Sequence, residues 1–340
     1  MIKESIAKLI DGNSLAEEEA AAVMDEIMSG EATPAQFGAF VTALRLKGET
    51  VDEIAGMARV MRQKALRVTV AGPLLDTCGT GGDHQGTFNV STAAAFVCAG
   101  AGLRVAKHGN RAMTSQCGSA DVLEALGARI DLTPQQVVDC LERTGIGFMF
   151  APAFHPAMKF AAGPRREIGV RTVFNILGPL TNPAGATAQV LGVAEPALAE
   201  KMAQVLGRLG CEHALVVHGE DGFDEVSVSA PTQVCELTGG GLRRYRVEPS
   251  ALGLAPADAS AVRGGSPVEN AAALRRVLSG ERGALRDFTL LNAAAGLVAG
   301  DRAASVSEGV VLAAQAIDGG AAREALERFV SVSGSFAQNE

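Results

Sequence analysis

Short apolar runs alternate with alanine-rich helical stretches from Gly72 onward, and this alternation limits the possible folds more than any other feature of the chain. The predicted strands are Leu103–Ala106, Phe148–Phe150, Gln189–Val193 and Ala214–Val217, followed by a ribbon of Val234–Leu237 and Tyr245–Val247. The predicted helices include Ser91–Ala99, Ser119–Leu126, Pro134–Arg143 and Pro196–Leu209. Successive strand–helix units predict an α/β domain with a largely parallel sheet.

The first 70 residues predict helices alone. Ser14, Thr33 and Thr50 each stand three residues before a Glu or Gln, which is the capping-box pattern of a helix start. Gly30 and Gly48 are expected to end the intervening helices. A chain of 340 residues is too long for one small core, so we predict a small helical domain followed by a larger α/β domain.

Charge and cysteine usage exclude several classes of protein. The formal net charge is −8 and no basic run is present, which argues against nucleic-acid binding. The six cysteines include no C-x-x-C pair, so reduced thiols in a cytoplasmic protein are expected rather than a disulfide or zinc framework. The N-terminal segment MIKESIAKLIDG predicts an amphipathic helix, not a signal peptide. No apolar run reaches the roughly 20 residues of a membrane span.

A glycine-rich segment, DTCGTGGD at Asp76–Asp83, follows the strand-like Pro73–Leu75. It leads to Asn89–Thr92, which opens an alanine-rich helix. Glycines allow backbone amides to approach a ligand, and a helix N-terminus adds free N–H groups for an anion. The segment therefore fits a phosphate or pyrophosphate cradle, although its spacing alone equally allows an ordinary strand–helix turn. It matches neither the Walker nor the Rossmann motif.

A second polar segment, KHGNRAMTS at Lys107–Ser115, directly follows the predicted strand Leu103–Ala106. Ligands of open α/β sheets gather at the carboxyl ends of strands. Lys107 suits a phosphate as a point charge, and Asn110 can both donate and accept hydrogen bonds. His108 could act as a base, as a hydrogen-bond donor or as a structural residue, and the structural interpretation is the favoured one.

Two further segments contain charges suited to ligands. Asp224 and Glu225, in HGEDGFDEVS, can hold Mg²⁺ through oxygen, although an isolated acidic pair is more often a solvated turn. Arg165 and Arg166, in GPRREIGVRTVFNILGPLTNP, are expected to begin a helical stretch and can bind a carboxylate bidentately. An ordinary basic first turn is the alternative, but cations are disfavoured at a helix N-terminus, which hints at a nearby anion.

These segments resemble the anthranilate phosphoribosyltransferase family, in the same order along the chain. The matching segments are DTCGTGGD, NVST, KHGNR, GSADVLEALG, FAPAFHPAMK, RRE-x-G-x-RT-x-FN-x-LGPLTNP and DGFDEVS. The resemblance covers residues from about 70 to 300. The chain departs from the family pattern at Met113–Thr114, at Gln116–Cys117, where Lys-Ser is expected, and at Phe223, where Leu is usual.

The resemblance implies a two-domain fold like that of the pyrimidine nucleoside phosphorylases and phosphoribosyltransferases. A helical domain of residues 1–70 with a returning segment near 163–185 would face an α/β domain of residues 71–162 and 186–340. The active site would lie in the cleft between them, and a homodimer would form through the helical domain. Neither nucleic acid nor a membrane is an expected partner.

The implied reaction joins anthranilate to the ribose 5-phosphate unit of phosphoribosyl pyrophosphate (PRPP), with Mg²⁺ at two sites, in tryptophan biosynthesis. Lys107, Asn110 and Arg165 would be the catalytic residues. The residues implied to contact PRPP are Gly79, Gly82, Asp83, Thr87, Asn89, Val90, Ser91, Thr92, Lys107, Ser115 and Ser119. Those implied for anthranilate are Gly79, Asn110 and Arg165, and those implied for the metal are Ser91, Asp224 and Glu225.

Two rival functions stay open on the sequence. A pyrimidine nucleoside phosphorylase on the same fold would bind a single phosphate, but the uninterrupted GTGGD and the Asp224–Glu225 pair favour the transferase. A non-catalytic relative with affinity for nucleic acid is disfavoured by the acidic charge and by the intact site segments.

Overall fold

The structure, a computed structural model, describes residues 1–83, 85–112 and 116–336. The chain begins with helices α1 Ile2–Ile10, α2 Glu17–Met28, α3 Pro34–Lys47 and α4 Val51–Lys64. It continues with β1 Leu75–Gly79, α5 Val90–Gly100, β2 Val105–Gly109, α6 Ser119–Ala125, α7 Pro134–Thr144, β3 Ile146–Phe150, α8 Ala151–Phe154, α9 Lys159–Ile168 and α10 Phe174–Leu177. It ends with β4 Ala188–Gly192, α11 Leu198–Arg208, β5 His213–Gly219, β6 Thr232–Thr238, β7 Gly241–Val247, α12 Pro267–Leu278, α13 Ala284–Ala299, α14 Val306–Asp318 and α15 Ala321–Ser335.

Side-chain caps begin two of the N-terminal helices as predicted. The hydroxyls of Thr33 and Thr50 each accept a hydrogen bond of 3.2 Å from the amide three residues later. The predicted cap at Ser14 is wrong, because α2 begins at Glu17 with Ala16 as its N-cap residue. The hydroxyl of Ser14 instead lies 3.3 Å from the amino group of Lys47, a tertiary contact that local spacing cannot reveal.

The seven strands form one sheet in the order β3-β2-β1-β4-β5-β6-β7. Strands β1 to β5 are parallel, and β6 and β7 add to the edge as an antiparallel pair. The predicted ribbon is therefore part of the main sheet. Strand β1 lies where the order reverses, between β2 and β4, and open α/β sheets bind ligands at such a point, outside the carboxyl ends of the strands.

Strands β1 and β2 both extend further toward their carboxyl ends than predicted. The first four residues of DTCGTGGD belong to β1, not to a loop. Lys107 and His108 lie inside β2 and not after it, because they pair in parallel register with Phe148 and Met149 of β3. Pairing with a neighbouring strand decides where a strand ends, and the apolar run Leu103–Ala106 by itself did not reveal it.

Both faces of the sheet are covered, so side chains alternate between two cores. On β5, Leu215 and Val217 pack into a core formed with α5, α7 and α12–α15, whereas Ala214 and Val216 face a second core. This second core contains helices α1–α4, α11 and the returning residues Ala161, Phe174 and Leu177. The described residues contain no helix long and apolar enough to cross a membrane. All six cysteines lie in the described ranges and are unpaired, as predicted.

Candidate functional site

Two glycines at the carboxyl ends of β1 and β4 make room for one acidic residue. Gly79 and Gly192 are paired in register. A Cβ atom on Gly192 would lie 1.5 Å from the carbonyl oxygen of Asp224, and one on Gly79 would lie 2.4 Å from Asp224 Oδ2. A side chain at position 192 would displace the backbone of the loop that contains Asp224, and one at position 79 would displace the Asp224 carboxylate. The glycines therefore let this loop approach the switch point of the sheet.

Asp224 is buried and holds the segment Thr80–Asp83, hereafter the glycine loop. Its Oδ2 atom accepts a hydrogen bond of 2.7 Å from the amide of Gly81. Burial and the nearby Asp83 carboxylate raise the pKa of Asp224 to about 7. Asp83 Oδ2 is buried without a hydrogen-bond partner. An unpartnered buried oxygen beside a second carboxylate indicates a site that favours a cation.

Glu225 adds a third carboxyl group to this region. Burial and the neighbouring Asp224 raise the pKa of Glu225 well above its ordinary value, while Lys107 acts in the opposite direction. No three His, Cys, Asp or Glu side chains of the described residues are grouped so that they could hold a metal ion by themselves. The oxygen donors nevertheless fit Mg²⁺, which is bound through one or two carboxylates with substrate phosphates and water completing its shell.

Lys107 is buried under the N-terminus of α5. Its amino group donates hydrogen bonds to the carbonyl oxygen of Thr77 and to Ser91 Oγ, the latter at 3.3 Å. Burial lowers the pKa of Lys107, although Asp76 and Glu225 counteract this effect. The predicted phosphate cation, Lys107, and the predicted metal ligand, Ser91, are therefore direct neighbours.

The first turn of α5 presents polar groups at the end of the glycine-rich segment. The amide of Asn89 bridges two segments, since Nδ2 donates to Cys117 O at 3.0 Å and Oδ1 accepts from Asn270 at 2.8 Å. Thr92 Oγ1 is buried without a partner. The side chain of Val90 is fully buried, so this residue can offer a ligand its backbone alone.

The remaining residues implied for PRPP lie on the loops around this turn. Thr87 forms an isolated bridge with Arg263, and Ser119 Oγ donates to Asn110 O at 3.3 Å. Gly82 belongs to the glycine loop and has a positive φ of 83°. Ser115, which the resemblance also implied, lies outside the described residues.

Arg165 and Arg166 lie in the last turn of α9, so the prediction that they begin a helix is wrong. The helix starts at Lys159 and continues through Pro164, and cations in a last turn are favoured by the helix dipole. The guanidinium of Arg165 lies 5.3 Å from the ring centroid of Phe174, and burial lowers its pKa. Within the described residues, no carboxylate lies within 4.0 Å of its nitrogens. Asn110, at the end of β2, is exposed.

His108 forms a buried pair with His155, a residue that the sequence did not single out. The rings of His108 and His155 lie 5.0 Å apart, and the Nε2 atom of each is buried without a hydrogen-bond partner. Burial is the main cause that lowers the pKa of His108 to about 3 and that of His155 to about 4, so both are neutral at pH 7. The available signal was the position of His155, five residues after β3, which neighbours β2 in the sheet.

Arg171 is the second residue that sequence reasoning missed. Its Nη2 atom donates a hydrogen bond of 2.9 Å to the carbonyl oxygen of Gly81 in the glycine loop. The residue lies in the quoted segment RRE-x-G-x-RT, but its spacing from the other arginines gives no indication of this contact.

Comparison with protein-family models matches two consecutive regions of the chain. The helical bundle domain of a glycosyl transferase family matches residues 3–65. The a/b domain of a glycosyl transferase family matches residues 71–323. The two matches follow the division between the N-terminal helices and the part of the chain that contains the sheet.

Individual relatives cover the whole chain. An anthranilate phosphoribosyltransferase of Pelotomaculum thermopropionicum is 57% identical, with 100% of this chain and 99% of the relative covered. The crystal structure of the Thermus thermophilus enzyme of that name has a TM-score of 0.93 and 48% identity, with coverage of 97% and 99%. The structure of the Saccharomyces cerevisiae enzyme in complex with PRPP and Mg has a TM-score of 0.90 and 29% identity, covering 98% of both chains.

Proposed function

The chain belongs to the anthranilate phosphoribosyltransferase family and transfers the 5-phosphoribosyl group of PRPP to the amine of anthranilate, and we propose which of its residues do so. The products are N-(5-phosphoribosyl)anthranilate and pyrophosphate, in tryptophan biosynthesis. The observation that supports the assignment of residues best is the contact of Lys107 with Ser91, beside the Asp224–Glu225 pair. It brings a cation for phosphate and oxygen ligands for Mg²⁺ to the carboxyl end of the sheet.

PRPP would bind along the glycine loop and the first turn of α5. Backbone amides of Gly79, Gly82 and residues 89–92 would face its phosphate oxygens, as anions favour such positions. The Thr92 hydroxyl, which is buried without a partner, would form a further contact with PRPP. The remaining contacts would come from Thr87, Asp83 and Ser119. Ser115 would be a further phosphate contact.

Mg²⁺ would bind Ser91, Asp224 and Glu225. We propose that each active site binds two Mg²⁺ ions. The ion would neutralise charge on the departing pyrophosphate, which is the chemistry that a divalent cation supplies to phosphoryl oxygens. Binding would also offset the burial and the repulsion between carboxylates that raise the pKa of Asp224 and Glu225. Lys107 would stabilise the same leaving group from below the α5 N-terminus.

Anthranilate would be oriented by Arg165 and Asn110, with Gly79 lining the site. Arg165 offers a planar fork for the carboxylate and is already held against Phe174. The amine of anthranilate is neutral at pH 7, so no strong base is needed to generate the nucleophile. When the new C–N bond forms, the nitrogen must lose a proton, and the departing pyrophosphate, whose negative charge grows as its bond to the ribose breaks, would take it up.

Positioning would supply much of the rate. Cleavage of the bond to pyrophosphate leaves positive charge on the ribose, and an amine held in line captures it before water does. Closure of the helical domain over the glycine loop would exclude water from this step.

Three wider assignments remain proposals. The helical domain would comprise residues 1–70 with the segment near 163–185, and the α/β domain residues 71–162 and 186–340. Packing of Phe174 and Leu177 against the N-terminal helices supports this division. The second proposal is a homodimer that forms through the helical domain, and the third is a cytoplasmic location.

The proposal is tested by following anthranilate fluorescence with PRPP, with and without Mg²⁺. We expect magnesium-dependent loss of the signal, with one pyrophosphate released for each anthranilate consumed. Phosphate-dependent cleavage of thymidine or uridine, without anthranilate consumption, would instead identify a nucleoside phosphorylase.

A further inference from the structure

Arg171 joins two segments to which the proposed function assigns different substrates. It stands three residues after the end of α9, whose last turn contains Arg165, the residue proposed for anthranilate. Its Nη2 atom donates a hydrogen bond of 2.9 Å to Gly81 O, in the glycine loop proposed for PRPP. One side chain therefore connects the two halves of the reaction site.

The guanidinium of Arg171 fits beside the glycine loop only because residue 82 is a glycine. A Cβ atom on Gly82 would lie 1.5 Å from Arg171 Nη1 and 2.3 Å from its Cζ. Gly82 also has a φ of +83°, a conformation that other residues rarely adopt. Glycine at this position is thus required both by the backbone and by the approach of Arg171.

Gly81 is held from two sides. Its amide donates to Asp224 Oδ2 at 2.7 Å, and its carbonyl accepts from Arg171. The two hydrogen bonds hold the two peptide groups on either side of the Gly81 Cα atom, so together they fix the orientation of both. The position of the glycine loop is therefore linked to the state of the proposed metal ligand.

The charge of Arg171 has no carboxylate counterpart in the described part of the chain, where no acidic oxygen lies within 4.0 Å of its nitrogens. Arg165 also lacks such a partner, whereas Arg111 pairs with Glu124. The close approach to Gly82 and the hydrogen bond to Gly81 point to a role in the site rather than in surface stability.

We propose, on the basis of the function proposed above, that Arg171 is a positioning residue that holds the glycine loop against Asp224 and fixes the distance between this loop and Arg165. PRPP and anthranilate are thereby held in one geometry. Removing the side chain leaves each substrate subsite present but lets them move relative to each other. A misplacement of about 1 Å costs about 10²-fold in rate.

The test compares Arg171→Ala and Arg171→Lys with Arg302→Ala as a matched control. Arg302 is exposed and likewise donates one hydrogen bond to a backbone carbonyl, that of Ala101 at 3.2 Å. For each variant we would measure kcat, both KM values, the PRPP hydrolysed per anthranilate consumed and the melting temperature. Each measurement is made with and without added guanidinium chloride at low millimolar concentration.

For Arg171→Ala we expect kcat to fall about 10²-fold and PRPP hydrolysis per transfer to rise. The melting temperature should stay at that of the control, and added guanidinium should restore part of the rate. Arg171→Lys should fall between wild type and Arg171→Ala, because it keeps the charge without the planar fork. Unchanged kcat and coupling would overturn the proposal. So would lost activity with a lowered melting temperature and no rescue by guanidinium or Lys. Wild-type transfer tests the proposed function separately, since its absence would be seen before any variant is compared.

Discussion

The carboxylate of Asp224 accepts a hydrogen bond of 2.7 Å from the amide of Gly81, a residue 143 positions away in the sequence. This contact joins the loop after β5 to the loop after β1, on either side of β4 in the sheet. The residue proposed to bind Mg²⁺ therefore also sets the position of the loop proposed to bind PRPP. Changes at Asp224 should consequently affect both the metal and the sugar donor.

Replacement of Asp224 by Asn should lower kcat/KM by about 10²-fold or more, which is the scale of losing one electrostatic stabiliser. Asn keeps the size of the side chain and an oxygen that can accept from Gly81, so the loss reports on charge. Asp25→Asn is the control, because Asp25 forms a surface pair with Lys64. Near-wild-type rates of Asp224→Asn at limiting Mg²⁺ would remove Asp224 from the metal site.

Binding of Mg²⁺ should strengthen as the pH rises through about 7. In the metal-free protein the pKa of Asp224 is raised to about 7, so the carboxyl group holds a proton below this pH and must lose it to bind a cation. Calorimetry with Mg²⁺ at pH 6 and pH 8 should give about tenfold weaker apparent binding at the lower pH, by linkage. Equal affinity at both values would contradict the assignment.

Arg165→Ala should mainly weaken the use of anthranilate. A charge-assisted hydrogen bond to a carboxylate is worth about 1.5–3 kcal/mol, so KM for anthranilate should rise about 10- to 100-fold with a smaller change in KM for PRPP. Initial rates over a grid of both substrates measure the two constants. A rise in KM for PRPP alone would show that Arg165 belongs to the other subsite.

The neutral histidines should make the protein sensitive to acid. His108 has a pKa of about 3 in the folded protein and the ordinary value of about 6.5 when unfolded. Between these values the unfolded chain binds more protons, so the free energy of unfolding should decrease as the pH falls from 6.5. Urea unfolding at pH 7 and pH 5 should show a smaller decrease for His108→Asn than for wild type. An identical decrease in both proteins would contradict the buried neutral state.

Gly192→Ala should reduce both stability and activity. The new Cβ atom would lie 1.5 Å from the backbone of Asp224, and overpacking of this kind costs about 1–3 kcal/mol. Gly334→Ala is the control, because nothing lies within 4 Å of its Cβ position. Denaturant melts of both variants measure the difference. A Gly192→Ala protein as stable as the control would show that the loop at Asp224 moves freely.

Local features of the fold could be predicted from the sequence because they depend on residues close together in the chain. The caps at Thr33 and Thr50 follow from hydroxyl and acid or amide groups three residues apart. The α/β class follows from the alternation of apolar runs with helical stretches, and the order of the motifs indicated the family. The cap at Ser14 failed because Lys47, distant in sequence, contacts its hydroxyl.

The sequence by itself thus determined the fold class, the family and the chemical types of residue in the site. Only the tertiary structure decided that Lys107 lies inside a strand and that Arg165 lies at the end of a helix. It also decided that His155 lies beside His108 and that Arg171 reaches the glycine loop. The physical reason is that strand ends depend on pairing with neighbouring strands, and contacts such as that of Arg171 with Gly81 span 90 residues, where packing and not spacing sets the distance.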